Sequence, residues 1–407
     1  MTERQIKRCR KRLEQYLVDL LEPLGRSERR HWAAVYLRGL LLNGERKSIE
    51  PMAMRLPEGN VQAMQQFVGQ SPWEWTPLWE RLALRMTKEL EPDSAWVVDD
   101  TGFPKQGQHS VGVERQYSGT LGKTGNCQVA VSLHHVAEMG HTVLGWRLYL
   151  PESWAKDPRR RREADIPDEV VFQPKWQLAL DLIDQVRGWG LPDQIVIADS
   201  GYGDGTEFRE ALETRRLCYV LGISPSLGVW GKPPQAEVPP YAGRGAPATR
   251  YRYGTQRPSS VRELALQAKG WKKLRWREGT KGWLESRFLA MRVQPSHGFV
   301  RGQPPHKAVW LLVQWPQGEK EPTKYFLCDL PPSYRLRRLV RLAKSRWKIE
   351  FDYRQLKQQL GLDHYEGRSW RGWHHHVTLV MMAHAFLTLE TLRTKKNFWV
   401  DPATDAP

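Results

Sequence analysis

RLAKSRWKIEFDYRQLKQQLG, residues 341 to 361, decides how this chain is read. Its periodicity predicts one long basic helix. Arg346, Glu350, Arg354 and Lys357 recur at steps of four, four and three, so they share one side of a helix of about 3.6 residues per turn. Leu342, Ile349, Tyr353, Leu356 and Leu360 form an apolar stripe rotated by about 100°. The apolar stripe anchors the helix and the charged one faces a partner. Glu350, a lone carboxylate among cations, then has two readings. It pairs with Arg346 and Arg354 on a solvated surface, or it works at a site. Residues elsewhere in the chain decide between them.

At 407 residues the chain is long enough for about two or three domains and a sizeable core. Its 62 Lys and Arg against 45 Asp and Glu leave a formal charge of +17, a surplus that favours a polyanion, nucleic acid first. The cations lie throughout the chain, as grooves lined with charge require. Nineteen tryptophans supply flat rings for a core or for stacking on unpaired bases. Cys9, Cys127, Cys218 and Cys328 lie far apart and form no C-x-x-C pair, which argues against a disulfide framework or zinc ribbon and fits a reducing cytoplasm. The basic N-terminus lacks the apolar run and cleavage site of a secretion signal. The most apolar segment, Val377 to Leu389, is interrupted by Thr378, His384 and Thr388 and falls short of the roughly 20 apolar residues of a membrane span.

Residues 1 to 90 read as short helices: Ile6, Leu13, Leu17 and Leu21 recur at helical spacing, and Asn60 and Ser71 are cap candidates. With Lys7, Arg8, Arg10, Lys11 and Arg12 at its entrance, this module is expected to contact DNA, or else to cap the next domain. From Ser94 the pattern alternates. AWVVDDT is a strand expected to end in two carboxylates, with GFPKQG as a turn; CQVAVSLHHV and HTVLGWRLYL are two more strands. Trp176 to Trp189 is a helix, QIVIADSGYGDG a strand that stops at Asp199, Glu207 to Arg216 a helix and CYVLGI a fifth strand. Three strands, helix, strand, helix, strand predict a mixed sheet with helices packed on it, an α/β class. Residues 224 to 260 are a Pro- and Gly-rich excursion. LESRFLAMRVQ, HKAVWLLVQWPQ and TKYFLCDL make a largely β insertion, with turns at 295–298 and 316–318.

This order sets acids at strand ends. Asp100, or its neighbour Asp99, ends the first strand and Asp199 the fourth. Were those strands adjacent, the carboxylates would share divalent cations, and a third acid on a helix, Glu350, would complete a two-metal site. An aspartate at a strand end is also an ordinary turn former, so the case rests on the three acids together.

DDTGFPKQG, VIADSGYGDG and RWKIEFDYRQLK, in this order, resemble the three acidic motifs of bacterial DDE transposases with a ribonuclease H-like fold, in particular the insertion-sequence enzymes bearing a Y-R-E-K signature. Arg346, Glu350 and Lys357 match its R, E and K; Ala343 stands where its tyrosine would be. The resemblance spans about residues 90 to 380 and favours Asp100 over Asp99 as first ligand. Together with the residue pattern it divides the chain into a helical domain over 1–90, expected from its cations to bind DNA, a catalytic core over 91–223 and 332–395, a β-rich insertion over 224–331 and a tail over 396–407. It also implies catalytic and metal-holding Asp100, Asp199 and Glu350, two Mg²⁺ ions with Mn²⁺ as substitute, cut-and-paste joining of terminal inverted repeats to target DNA, and a synaptic homodimer acting at the bacterial nucleoid. In related transposases an aromatic from the insertion stabilises a DNA hairpin, for which Trp310, Trp315 and Trp347 are available.

Phosphate contacts are expected from Arg346, Arg354 and Lys357 beside the scissile bond and from Arg159, Arg160 and Arg161 in a loop over 157–162. His374 to His376, with His134 and His135, offer no paired ligand motif and are not read as a metal site. Two rival classes share these residues: a metal-dependent nuclease without strand transfer, and an inactive DNA-binding regulator.

Overall fold

The computed structural model describes residues 2–90, 94–119, 122–232, 240–247, 257–279, 282–296 and 306–399. Parts of the Pro/Gly-rich excursion, of the turn expected at 295–298 and of the tail lie outside them. The chain forms two compact units, Met1–Asp193 with Trp347–Pro407, and Gln194–Arg346.

The first unit begins with five helices, α1 (Glu3–Leu20), α2 (Ser27–Leu41), α3 (Ile49–Arg55), α4 (Val61–Gly69) and α5 (Thr76–Glu89). Asn60 caps α4 by accepting the Ala63 N–H, as its place before the apolar repeat requires. Four strands follow: β1 (Ser94–Pro104), β2 (Glu114–Ser118), β3 (Lys123–Ala137) and β4 (His141–Leu148). β3 pairs antiparallel with β1, β2 and β4. Short helices α6 (Glu152–Ala155) and α7 (Pro158–Glu163) then lead to α8 (Lys175–Gly188).

The second unit opens with β5 (Ile195–Ala198), α9 (Ser200–Gly203), α10 (Thr206–Thr214) and β6 (Tyr219–Ile223), in which β5 and β6 are parallel. It continues through β7 (Gly228–Trp230), β8 (Ser259–Ser260), α11 (Val261–Gln267), β9 (Lys272–Gly279), β10 (Gly282–Pro295), β11 (Val309–Trp315), β12 (Lys324–Asp329) and α12 (Leu336–Lys344). β9 to β12 pair antiparallel, and β12 closes onto β6. The chain re-enters the first unit with α13 (Trp347–Arg354), a π-helical turn over Gln355–Gln359, and the 30-residue α14 (Trp370–Trp399). Four antiparallel strands, then helices, a strand, two more helices and a parallel strand make the mixed α/β order that the sequence pattern predicts, with β2 and the short helices α6, α7 and α9 added to it.

Four local expectations are corrected. The single helix over 341–361 is broken: α12 stops at Lys344, where Ser345 donates both its N–H (3.0 Å) and its Oγ–H (2.7 Å) to the Leu342 carbonyl. A short hydroxyl side chain competes in this way for helix carbonyls. Arg346 therefore lies outside the helix that carries Glu350. β1 does not end at its aspartates but runs to Pro104, because long β3 supplies partners along its whole length: Asp99 faces Ser132, Asp100 faces Val131 and Pro104 faces Cys127. GFP thus belongs to the strand. The arginine loop is a helix, α7, capped by Asp157, whose side chain accepts the Arg159 and Arg160 N–H groups. Finally, α14 carries regular structure into the expected tail, to Trp399.

The core of the first unit joins its N-terminal helices to the sheet and to α14. Tyr16 donates to the Met382 carbonyl (2.6 Å), Trp79 Nε1 to Thr378 Oγ1 (2.7 Å), and Arg12 Nε to Glu390 (2.8 Å). His374, His375 and His376 stack on Trp75, Trp73 and Tyr365. Those rings are packing elements.

Candidate active site

Glu350 sits in the first turn of α13 and is exposed, whereas Asp352, two residues on, is fully buried. Two residues turn a helix by about 200°, so whatever holds Asp352 inward turns Glu350 outward. Three imidazoles hold it. Asp352 Oδ2 accepts from His134 Nδ1 on β3 at 2.9 Å, and Oδ1 meets His141 Nδ1 at the start of β4 and His384 Nε2 on α14 at 3.2 Å. Burial by itself would push the Asp352 carboxyl up. The charges of His141 and His384 and the hydrogen bonds from His134 and His141 outweigh it and hold the group well below the usual carboxylate range.

His134 continues the network. Burial favours the neutral ring and lowers its imidazole below the ordinary value, against the pull of Asp352 toward the charged form. Nδ1 then donates to Asp352, Nε2 accepts from Ser132 Oγ (2.9 Å), and Ser132 accepts from Tyr353 OH (2.6 Å). The register of β3 on β4 shifts between Leu133 and His134, a bulge of the kind that re-aims a side chain. His134 and His141 hydrogen-bond to the carboxylate directly and His384 meets it as an ion pair, so the cluster is a knot of direct side-chain contacts.

A second tether joins this region to β1. Lys357, in the π-helical turn, donates to the Gly102 carbonyl at 2.7 Å and lies 5.4 Å from the centre of the Phe103 ring. Burial brings its ammonium down to about 8, against the charge of Asp363. Gly102 is two residues beyond Asp100, so the segment bearing Glu350 is fastened to the strand bearing the first aspartate. Asp99 is buried and its Oδ1 accepts the Asp100 N–H (2.9 Å). Asp100 is more open, and its Oδ2 accepts from Lys175 Nζ at 2.6 Å.

Asp199 belongs to the second unit. It follows β5 directly and caps α9, its Oδ1 accepting the Gly201 N–H at 2.9 Å. The glycines of VIADSGYGDG allow a close approach here: a Cβ on Gly203 would lie 2.0 Å from the Gly222 carbonyl oxygen of β6. Among the described residues no group of three or more His, Cys, Asp and Glu side chains is placed to hold an ion.

Of the expected DNA contacts, Arg354 is exposed on α13 and Trp347 is 37% exposed at its start, while Arg346 closes the second unit. Arg159 is exposed and paired with Glu163 (2.8 Å). Arg160 lies 3.7 Å over the Trp154 ring, and Arg161 donates to the Val170 and Pro167 carbonyls (both 2.7 Å), so these two brace their own segment. Trp310 and Trp315 donate to backbone carbonyls and are each covered by an arginine. Sequence reasoning missed a basic cavity of about 680 Å³ in the second unit, lined by Lys273, Arg275, Arg337, Arg341, Trp276 and the 55%-exposed Trp283. It missed Asp352 too, although a signal was present: an acid standing inside the apolar stripe, three residues after Ile349 and four before Leu356.

The profile of a protein family described as DDE superfamily endonuclease matches residues 19–283. This chain belongs to that family. The DDE superfamily chain is also 30% identical over 187 residues to the "Probable transposase for insertion sequence element IS701" of Microchaete diplosiphon, a match that takes in 46% of each protein. It therefore spans about half the length of that curated relative. Among solved structures it is similar to the piggyBac transposase of a synaptic complex with hairpin DNA, at a TM-score of 0.40 and 9% identity over 91% of this chain and 67% of that one. Among the described residues of this DDE superfamily chain, no helix is long and apolar enough to cross a membrane.

Proposed function

We propose that this protein is a transposase that cleaves the ends of an insertion sequence and joins them to target DNA by metal-dependent phosphoryl transfer. The observation that carries the reading is the arrangement around Glu350 in a chain of this family. An exposed glutamate is aimed outward by a buried knot, and its segment is fastened by Lys357 to the strand of Asp100. The family match and the charge of +17 support DNA as the substrate.

Asp100, Asp199 and Glu350 would hold the divalent ions, Mg²⁺ with Mn²⁺ as substitute. Their donors are all carboxylate oxygens, suited to hard cations, and Asp100 already holds one cation, the Lys175 ammonium. Bound there, the ions would supply an activated water or 3′ hydroxyl and neutralise charge on the scissile phosphate. Arg346, Arg354 and Trp347 would position the DNA near the reacting phosphate, where orientation and charge stabilisation supply most of the rate, while Lys357, bonded to the Gly102 carbonyl, would brace the Glu350 segment. Arg159 and the basic cavity around Trp283 would engage the strand further out. Two copies would act together on paired ends.

The test is incubation with DNA carrying the inverted repeats that flank the coding sequence, with Mg²⁺ or Mn²⁺. Joined products support the transposase, cleavage without joining supports a nuclease, and binding alone supports a regulator. Full cleavage by Glu350→Gln would remove Glu350 from the catalytic set. Elution of the protein–DNA complex as a 1:1 species would refute the dimer.

A further inference from the structure

Lys175 is the first residue of α8, and 75 residues of sequence separate it from the aspartate it holds. Its Nζ lies 2.6 Å from Asp100 Oδ2, with 35% of the lysine side chain and 25% of the aspartate side chain open to solvent. The same ammonium is 5.9 Å from the centre of the Tyr149 ring. We propose that Lys175 is a built-in counter-ion of the candidate metal site, which holds the Asp100 carboxylate in the ion-free protein, yields it to a divalent cation, and then contacts a phosphate oxygen of the DNA. The inference rests on the reading of Asp100 as a metal ligand.

Three features of the chemistry favour exchange over a fixed brace. Lysine presents a point charge on a flexible stem and makes no bidentate lock on a carboxylate, so one contact releases it. An ion pair that is partly open to solvent and made through one contact is modest in strength, and a divalent ion displaces it at small cost. The Tyr149 face offers the freed ammonium a second favourable position close by. Once released, the ammonium stays near Asp100 with three donors and no carboxylate, the chemistry that suits a phosphate oxygen.

The test uses the full chain with Lys175→Met, which keeps the length and apolar stem, and Lys175→Gln as a second variant should the first fold poorly. Mn²⁺ affinity without DNA is measured by calorimetry and by the Mn²⁺-dependent shift in melting temperature. Removing the competing cation should tighten Mn²⁺ binding about 2- to 5-fold. Cleavage of repeat-end DNA at saturating Mn²⁺ should fall at least about 10-fold for loss of a charged phosphate contact. Lys175→Arg, which keeps the charge and can grip the carboxylate with two donors, should bind Mn²⁺ no more tightly than wild type and recover part of the rate. Asp100→Asn is the control for the underlying reading. If it abolishes Mn²⁺ binding while Lys175→Met binds no tighter than wild type, the counter-ion role is overturned and the metal site stands. If Asp100→Asn leaves Mn²⁺ binding unchanged, or neither wild type nor Lys175→Met binds Mn²⁺, both ideas fall. Tighter binding with an undiminished rate at saturating Mn²⁺ would overturn the phosphate contact.

Discussion

Asp352→Asn is the substitution with the largest expected consequence for so small a change of shape. The wild-type carboxylate is fully buried and serves His134, His141 and His384 from three different elements. Asparagine keeps one acceptor oxygen but turns an NH₂ group toward a ring nitrogen and removes the charge that the imidazoles surround. Removing one partner of a buried ion pair costs about 3–5 kcal/mol, because the other is left uncompensated. Against a typical domain stability of about 5–15 kcal/mol, that is roughly a fifth of the total or more. Urea unfolding followed by tryptophan fluorescence at pH 7 measures it. Acid titration supplies an independent signature. The Asp352 carboxyl is held below its unfolded value of 3.8, so its contribution is present above that value and is lost as pH falls through the folded one. Wild type should show this loss and Asp352→Asn should lack it. Cleavage by the variant should fall further than its folded fraction, since Glu350 is aimed from the opposite side of the same helix turn. A loss under about 1 kcal/mol at pH 7, within the range of an exposed pair, would refute the reasoning.

Three further outcomes are expected. His376 is buried, with Nε2 donating to the Gly361 carbonyl (3.1 Å) and Nδ1 accepting from Tyr36 OH (2.9 Å), and burial brings it down to about 3. The unfolded chain takes up its proton near pH 6.5, so stability falls by about 2 kcal/mol per such imidazole between pH 7 and 5, and His376→Gln should show that much less acid loss in urea titrations. Lys357, brought down to about 8 from 10.5, leaves the unfolded chain with more bound protons between those values. Wild-type stability should therefore gain up to about 2–3 kcal/mol across that window, a gain that Lys357→Met abolishes in melting curves taken at pH 8 and 10. Gly203→Ala forces a methyl against the Gly222 carbonyl and should cost about 1–3 kcal/mol in urea unfolding, lowering cleavage through the displaced Asp199 turn.

Much of the architecture was written in local pattern. Alternation over CQVAVSLHHV and HTVLGWRLYL and the helical spacing after Trp176 led to β3, β4 and α8, because burying one face of a strand or helix leaves its period in the sequence. The three acidic motifs and the basic segment around Glu350 were legible for the same reason: they are contiguous. What only the tertiary structure decided depends on partners distant in sequence. The long pairing with β3 placed Asp99 and Asp100 inside a strand, and Ser345 broke a helix whose periodicity ran on without interruption. The segment around Glu350 first read as a single helix with a charged face. Its aim is set by an aspartate on the other side, where His134, His141 and His384 converge from two strands and a distant helix. No local pattern records that convergence, since a buried carboxylate is specified by what surrounds it in space, and spatial neighbours carry no fixed spacing along the chain.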